Sequence, residues 1–157
     1  MSIDLTDIRI LEELKEDGRR SLREIAKNQD MSPSTSSNRF RKMREEGIIK
    51  GFQPIIDYEK LGFDFTTVTH IGSESGKIED IQESLKQKSY VSSFFLVTGE
   101  TDIIVISRFR SRKEMNENLR DLQSLDGVED TNTNVVLESE GDMNGVKLEA
   151  LKESLDS

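Results

Sequence analysis

The stretch Ser32–Gly47, SPSTSSNRFRKMREEG, reads as one helix with a start, a buried stripe and a stop. Ser32 is placed to cap it, and Pro33 takes the first helical position, where a missing N–H costs nothing. Gly47 stands where a helix-ending glycine belongs. Phe40 and Met43, three apart, give a face that can be buried, while small hydroxyls, Asn38 and basic side chains cover the rest. From Ser32 to Arg44 there are four basic residues and no acidic one. A helix of this composition fits a DNA major groove. Small residues allow the backbone close, Asn and Arg read base edges, and Arg and Lys hold phosphates.

Working outward, the preceding residues supply two helices to hold this one. Leu5, Ile8, Leu11 and Leu14 recur at helical spacing over 4–16, and Asp17-Gly18 stops the run. Ser21 and Glu24 form a capping box, and a short helix to about Asn28 follows, burying Leu22, Ile25 and Ala26. Residues 29–31 make a tight turn, so the three helices form a helix-turn-helix unit. On the other side, 48–56 (IIKGFQPII) is β-prone with a Lys-Gly turn, which predicts a small hairpin wing. The first domain is therefore expected over 1–56, with a linker at 57–63.

The second half predicts strand 65–72, helix 77–88, strand 92–98, strand 102–110, a helix opened by the capping box Ser111–Glu114 and burying Met115, Leu119 and Leu122, and strand 128–138. The order β-α-β-β-α-β over 64–138 is that of a ferredoxin-like sandwich, making the chain an α+β protein with a winged helix-turn-helix in front. The central strands SSFFLVT and DIIVISRFR are apolar on both faces, yet two helices cover only one face of a four-stranded sheet. The bare face implies a homodimer, which also suits paired DNA half-sites. Residues 139–157 read as a polar, acidic tail, with a short helix expected at 146–155.

Composition sets the remaining bounds. The chain has 157 residues and no cysteine, which excludes disulfides, thiolate metal sites and cysteine nucleophiles. His70 is the only histidine, so clustered-histidine metal sites are excluded too, and in a strand it reads as structural. No apolar run is long enough for a bilayer and no signal-peptide pattern opens the chain, so no membrane partner and a cytoplasmic, nucleoid-associated location are expected. The net charge of −9 looks adverse to DNA binding, but residues 1–60 are balanced at 12 acidic and 12 basic side chains. The excess lies in residues 61–157, with 19 acidic and 10 basic, which marks the halves as doing different work.

The motifs ILEELKEDGR (Ile10–Arg19), MSPSTSSNRFRKMREEGIIKGF (Met31–Phe52), LVTGETDIIV (Leu96–Val105) and GVEDTNTNVVL (Gly127–Leu137), in this order and spacing, resemble the leucine-responsive regulator/AsnC (Lrp/AsnC) family of prokaryotic transcription regulators. The resemblance covers about Ile3 to Glu138. It implies a winged helix-turn-helix, a ferredoxin-like domain that senses an amino acid or related metabolite, and dimers assembling to tetramers or octamers. It places the effector near the loop Thr98–Asp102. Ser36 and Ser37 are more polar than the family pattern, which implies an altered seat for the third helix.

Candidate DNA contacts are Ser34, Ser37, Asn38, Arg41 and Lys42, with Asn38 suited to adenine, Arg41 to guanine or phosphate and Lys42 to phosphate. Arg39 reads as a brace within the fold. Candidate effector contacts are Gly99, Thr101 and Asp102: glycine lets a ligand approach the backbone, and a carboxylate can pair with an ammonium. Asn132 and Asn134 share one face of the last strand and read as packing residues. No resident cofactor, metal site or catalytic residue is expected. Two other classes compete with a ligand-responsive regulator: an effector-independent architectural DNA-binding protein, and a haem-pathway decarboxylase sharing the two-domain fold. The sequence offers the decarboxylase no nucleophile–base pair and no Gly-rich phosphate loop.

Overall fold

A computed structural model describes residues 3–139 and residue 148. The chain divides into two units, one ending at Ile55 and the next starting at Ile56. The tail expected over 139–157, with its short helix, lies outside the described residues apart from Ser139 and Leu148.

The first unit is three helices, α1 (Leu5–Glu16), α2 (Leu22–Asn28) and α3 (Pro33–Glu45). Each begins on a side-chain cap. Asp4 and Asp7 satisfy one another's backbone N–H at 3.1 Å, and Ser21 and Glu24 do the same at 3.2 and 2.8 Å. Ser32 accepts from the Thr35 N–H at 3.0 Å, with Pro33 in the first turn of α3. The α2–α3 turn passes through Asp30 in the left-handed region (φ 49°), and Met31 N–H returns to Ala26 O at 2.9 Å. Ile10, Leu14, Ile25, Met43 and Ile49 form the core, with Leu11, Leu22, Met31 and Phe40 packed around it. On α1 Asp7, Ile8 and Ile10 are fully buried and Glu13 and Leu14 nearly so, while Leu5 and Leu11 are only half-buried. The helix is thus rotated from the orientation its leucines alone predict.

The hairpin expected at 48–56 is absent, since that span contains no strand. The reason lies at the end of α3. Gly47 adopts φ 72°, and the N–H groups of Ile48 and Ile49 both donate to Met43 O, at 2.9 and 3.1 Å. Those two residues therefore close the helix instead of opening a strand, and Ile49 enters the core. The wing position is a strandless segment, anchored where Phe52 stacks on Phe40 with ring centroids 6.3 Å apart.

The second unit runs β1 (Phe65–Ser73), α4 (Ile78–Lys86), β2 (Val91–Leu96), β3 (Ile103–Phe109), α5 (Arg112–Gln123) and β4 (Val128–Val135). The strands pair antiparallel in the order β2-β3-β1-β4, the expected ferredoxin-like sandwich. Ile71, Ile103 and Val105 of the sheet pack on Ile81, Leu85 and Leu122 of the helices. On the same face the cross-strand pair Thr67 and Ser107 is fully buried, and neither hydroxyl has a partner. The opposite face carries Val68, Ile104 and Ile106, half-buried, and Phe95, 53% exposed beside Ile104. His70, Asn132 and Asn134 share that face, with Asn132 paired to His70 and Asn134 to Val68.

Candidate nucleic-acid interface and effector region

Helix α3 has two chemically distinct sides. Ser36 and Met43 are fully buried, and Thr35, Arg39 and Phe40 half-buried. Ser34, Ser37, Asn38, Arg41 and Lys42 are all exposed, and their spacing sets them on one stripe along the helix. Arg41 donates to Asn38 Oδ1 at 3.0 Å and lies 3.9 Å from Glu45. Exposed pairs of this kind are weak and leave both groups available to a stronger partner. Of the two polar departures noted in the sequence, Ser36 falls on the packing side of α3, fully buried with no partner for its hydroxyl, and Ser37 lies exposed on the outer side.

Arg39 faces the other way, pairing with Asp4 at 2.6 Å and Asp7 at 3.3 Å, and so ties α3 to the start of α1. Asp7 is fully buried and its Oδ1 lacks a partner. Burial pushes its carboxyl above the ordinary aspartate value, against the opposing effects of the Asp4 N–H and Arg39. At Asp4 burial acts in the same direction, but the Asp7 N–H and Arg39 outweigh it and hold the group low. A second tie runs through Glu13, which accepts from Asn28 at 2.9 Å, Gln29 at 2.7 Å and Arg20. Asn28, Gln29 and Arg20 hold its carboxyl below the ordinary value. Glu13 therefore fixes α1 to the end of α2 and to the turn that launches α3.

The β2–β3 turn looks different. Asp102 Oδ2 accepts from both the backbone N–H and the hydroxyl of Ser73, each at 2.8 Å, and these bonds hold its carboxyl low. Thr101 donates its hydroxyl to Ile71 O at 2.8 Å. Gly99 is exposed at φ 126°, a conformation L side chains rarely adopt. Two of the three effector candidates thus spend their side chains fastening the turn to β1.

A ligand-sized groove of about 410 Å³ lies elsewhere in this unit, between α5 and β4. Asn116, Leu119, Arg120 and Gln123 line it from the helix, Thr131 and Thr133 from the strand, and none of Gly99, Thr101 or Asp102 contributes. None of these residues stands out as a site in the sequence. Their one signal is the polar stripe Asn116, Arg120, Gln123 at helical spacing.

Among the described residues no three His, Cys, Asp or Glu side chains gather to hold a metal, and no helix is long and apolar enough to cross a membrane.

A helix-turn-helix with a free polar stripe, followed by a βαββαβ sandwich with a ligand-sized groove, defines a transcription regulator with an appended sensing-type domain. Two family models match the chain: winged helix-turn-helix DNA-binding over residues 3–50, and Lrp/AsnC ligand binding domain over residues 65–145. The chain belongs to the Lrp/AsnC family of transcriptional regulators. It is 44% identical over 138 residues to an uncharacterised HTH-type transcriptional regulator of Pyrococcus furiosus, a match spanning 88% of this chain and 93% of that one. Among solved structures it is similar to a transcriptional regulator of Neisseria meningitidis in complex with L-Met (TM-score 0.89, 27% identity, 96% and 99% of the two chains). It is also similar to AsnC of E. coli (TM-score 0.86, 28% identity, 93% and 99%).

Proposed function

We propose that this regulator binds specific DNA sequences through the outer stripe of α3 and changes its activity or assembly on binding an amino-acid-like metabolite. The carrying observation is the division of α3: Ser34, Ser37, Asn38, Arg41 and Lys42 are exposed on one stripe, while Arg39 is consumed by Asp4 and Asp7. Asn38 and Arg41 read base edges, and Lys42 and Ser34 meet phosphates. The domains divide as 1–56 for DNA and 64–138 for sensing and pairing, with 57–63 as linker. Two copies join through the sheet face bearing Phe95, Ile104 and Ile106, whose apolar character in water supports pairing, and dimers assemble further to tetramers or octamers. Gly99, Thr101 and Asp102 shape the effector region, the turn's side chains holding it and Gly99 offering backbone. The L-Met complex of the Neisseria relative supports an amino-acid effector. The protein works without a resident cofactor and performs no catalysis, in the cytoplasm on the nucleoid.

Selection of DNA from a random library by the purified full chain, with and without an amino-acid panel, tests this reading. The expected result is an enriched site with two half-sites about one helical turn, or a multiple of it, apart, and an affinity that changes with one ligand. Retention without sequence enrichment, insensitive to every ligand, would favour the architectural class instead.

A further inference from the structure

We propose that the linker 57–63 is a clamp and not a tether: Tyr58, seated on Arg108, fixes the point where the DNA-binding unit's chain leaves the sensing unit, and so limits the half-site spacings a dimer can read. This inference rests on the proposed DNA-binding reading and deepens it by naming a positioning residue. The stretch folds into a closed turn. Asp57 Oδ1 accepts from the Lys60 N–H at 3.1 Å, and the N–H groups of Leu61 and Phe63 donate to Tyr58 O at 3.1 and 3.0 Å. Gly62 completes it at φ 84°. Tyr58 and Phe63 meet edge to face, with ring centroids 6.0 Å apart. Two guanidinium groups hold these rings, Arg108 at 4.5 Å from the Tyr58 centroid and Arg110 at 5.8 Å from that of Phe63. Arg108 is itself well placed. It pairs with Thr66 of β1, and its guanidinium donates to Ser92 Oγ on β2 at 2.9 Å. By strand alternation it lies on the face of Ile104 and Ile106, so the turn is fastened to a central strand, on the face proposed for pairing.

The free joint is correspondingly short. Phe52 belongs to the first unit, stacked on Phe40 and so close to Gly18 that a Cβ there would lie 3.0 Å from its ring. Asp57 begins the turn. Between them stand Gln53, Pro54, Ile55 and Ile56, all exposed and without a hydrogen bond to any described residue. Pro54 fixes its own φ and keeps Gln53 extended, which leaves only Ile55 and Ile56 to turn. Four extended residues span about 14 Å. A DNA-reading unit on so short a joint, clamped at its far end, samples a small range of positions. Releasing the clamp adds residues 57–63 to the joint, and the reach of a flexible segment grows with its length.

The test applies two readouts to the full chain as wild type, Tyr58→Leu, Tyr58→Phe and a variant with a Gly-Gly insertion between Ile55 and Ile56. The first selects DNA from a library in which the separation of two half-sites is randomised, with affinity for a single half-site as the control. The second needs no DNA. Because the chain has no cysteine, Arg9→Cys and Glu79→Cys, both at exposed positions, carry one spin label in each unit. Excess unlabelled chain makes the measured distance intramolecular. Wild type should prefer one spacing and give a narrow distance distribution. Tyr58→Leu should cut that preference roughly two- to fivefold, as expected for the loss of one exposed cation–π contact, and broaden the distances. The insertion lengthens the joint by about 7 Å and should do both more strongly. Tyr58→Phe keeps the ring and should match wild type, and all four should bind a single half-site equally. Unchanged spacing and distances in Tyr58→Leu would overturn the clamp, as would a Tyr58→Phe protein that behaves like Tyr58→Leu. A library that enriches no sequence would remove the DNA reading alone, and the label distances would still decide the clamp.

Discussion

The outer stripe of α3 and the β2–β3 turn carry similar side chains in opposite states. On α3, Ser37, Asn38, Arg41 and Lys42 are exposed and held by nothing stronger than one exposed hydrogen bond and one long ion pair. At the turn, Thr101 and Asp102 are closed into bonds with Ile71 and Ser73. A hydroxyl or carboxylate with its bonds already made within the fold holds shape, and one without them is available to a ligand. The same contrast runs along α3 itself, where Arg39 and Arg41, two residues apart, fall on opposite sides of it.

Substitutions at committed side chains should therefore cost stability. The largest such effect is expected at Glu13, whose buried carboxylate joins Asn28, Gln29 and Arg20. Glu13→Ala should lower unfolding stability by about 2–3 kcal/mol in a denaturant titration. Next comes Asp102→Asn, which should lower the thermal midpoint while folded protein still binds DNA normally. The Ser73 bonds depress the folded-state pKa of Asp102, so its contribution is fully present above the ordinary aspartate range and is lost as pH falls below that range and through the depressed folded-state value. The gap between wild type and Asp102→Asn should accordingly close in acid, and a gap that persists there would show that the charge is not what fastens the turn. The smallest effect has the opposite sign. Ser36 buries a hydroxyl with no partner, so Ser36→Ala should raise stability by about 1 kcal/mol, measured as a shift in the unfolding midpoint.

Much of the architecture was legible because local chemistry and global fold agree. The caps at Ser21, Ser32 and Ser111 each accept the expected N–H, although Glu114 turns to the Arg110 N–H and leaves the box at Ser111 half made, and the β-α-β-β-α-β element order matches the run of apolar segments. The wing hairpin was misread because β-propensity at Ile48 and Ile49 lost to the capping of α3, which claims both N–H groups. On α1, Ile8 and Leu14 are buried as the spacing predicts, but Ile10 lies beside Leu11, and only tertiary packing buries the first fully and leaves the second half-buried. At the candidate sites, α3 was readable since all five candidates sit on one continuous helix. The groove was not, because its walls are joined only when β4 folds back beside α5. Nor does sequence show that the bonds of Thr101 and Asp102 are already made.

The most direct test of the account measures affinity for the selected DNA site and thermal midpoint side by side for Arg39→Ala and Arg41→Ala. Arg41→Ala should lose roughly tenfold or more in affinity at an unchanged midpoint. Arg39→Ala should lower the midpoint by stranding the buried Asp7 carboxylate, while its folded fraction keeps most of its affinity. Wild-type DNA binding by Arg41→Ala, together with a loss of binding by folded Arg39→Ala, would contradict the assignment of the two faces of α3.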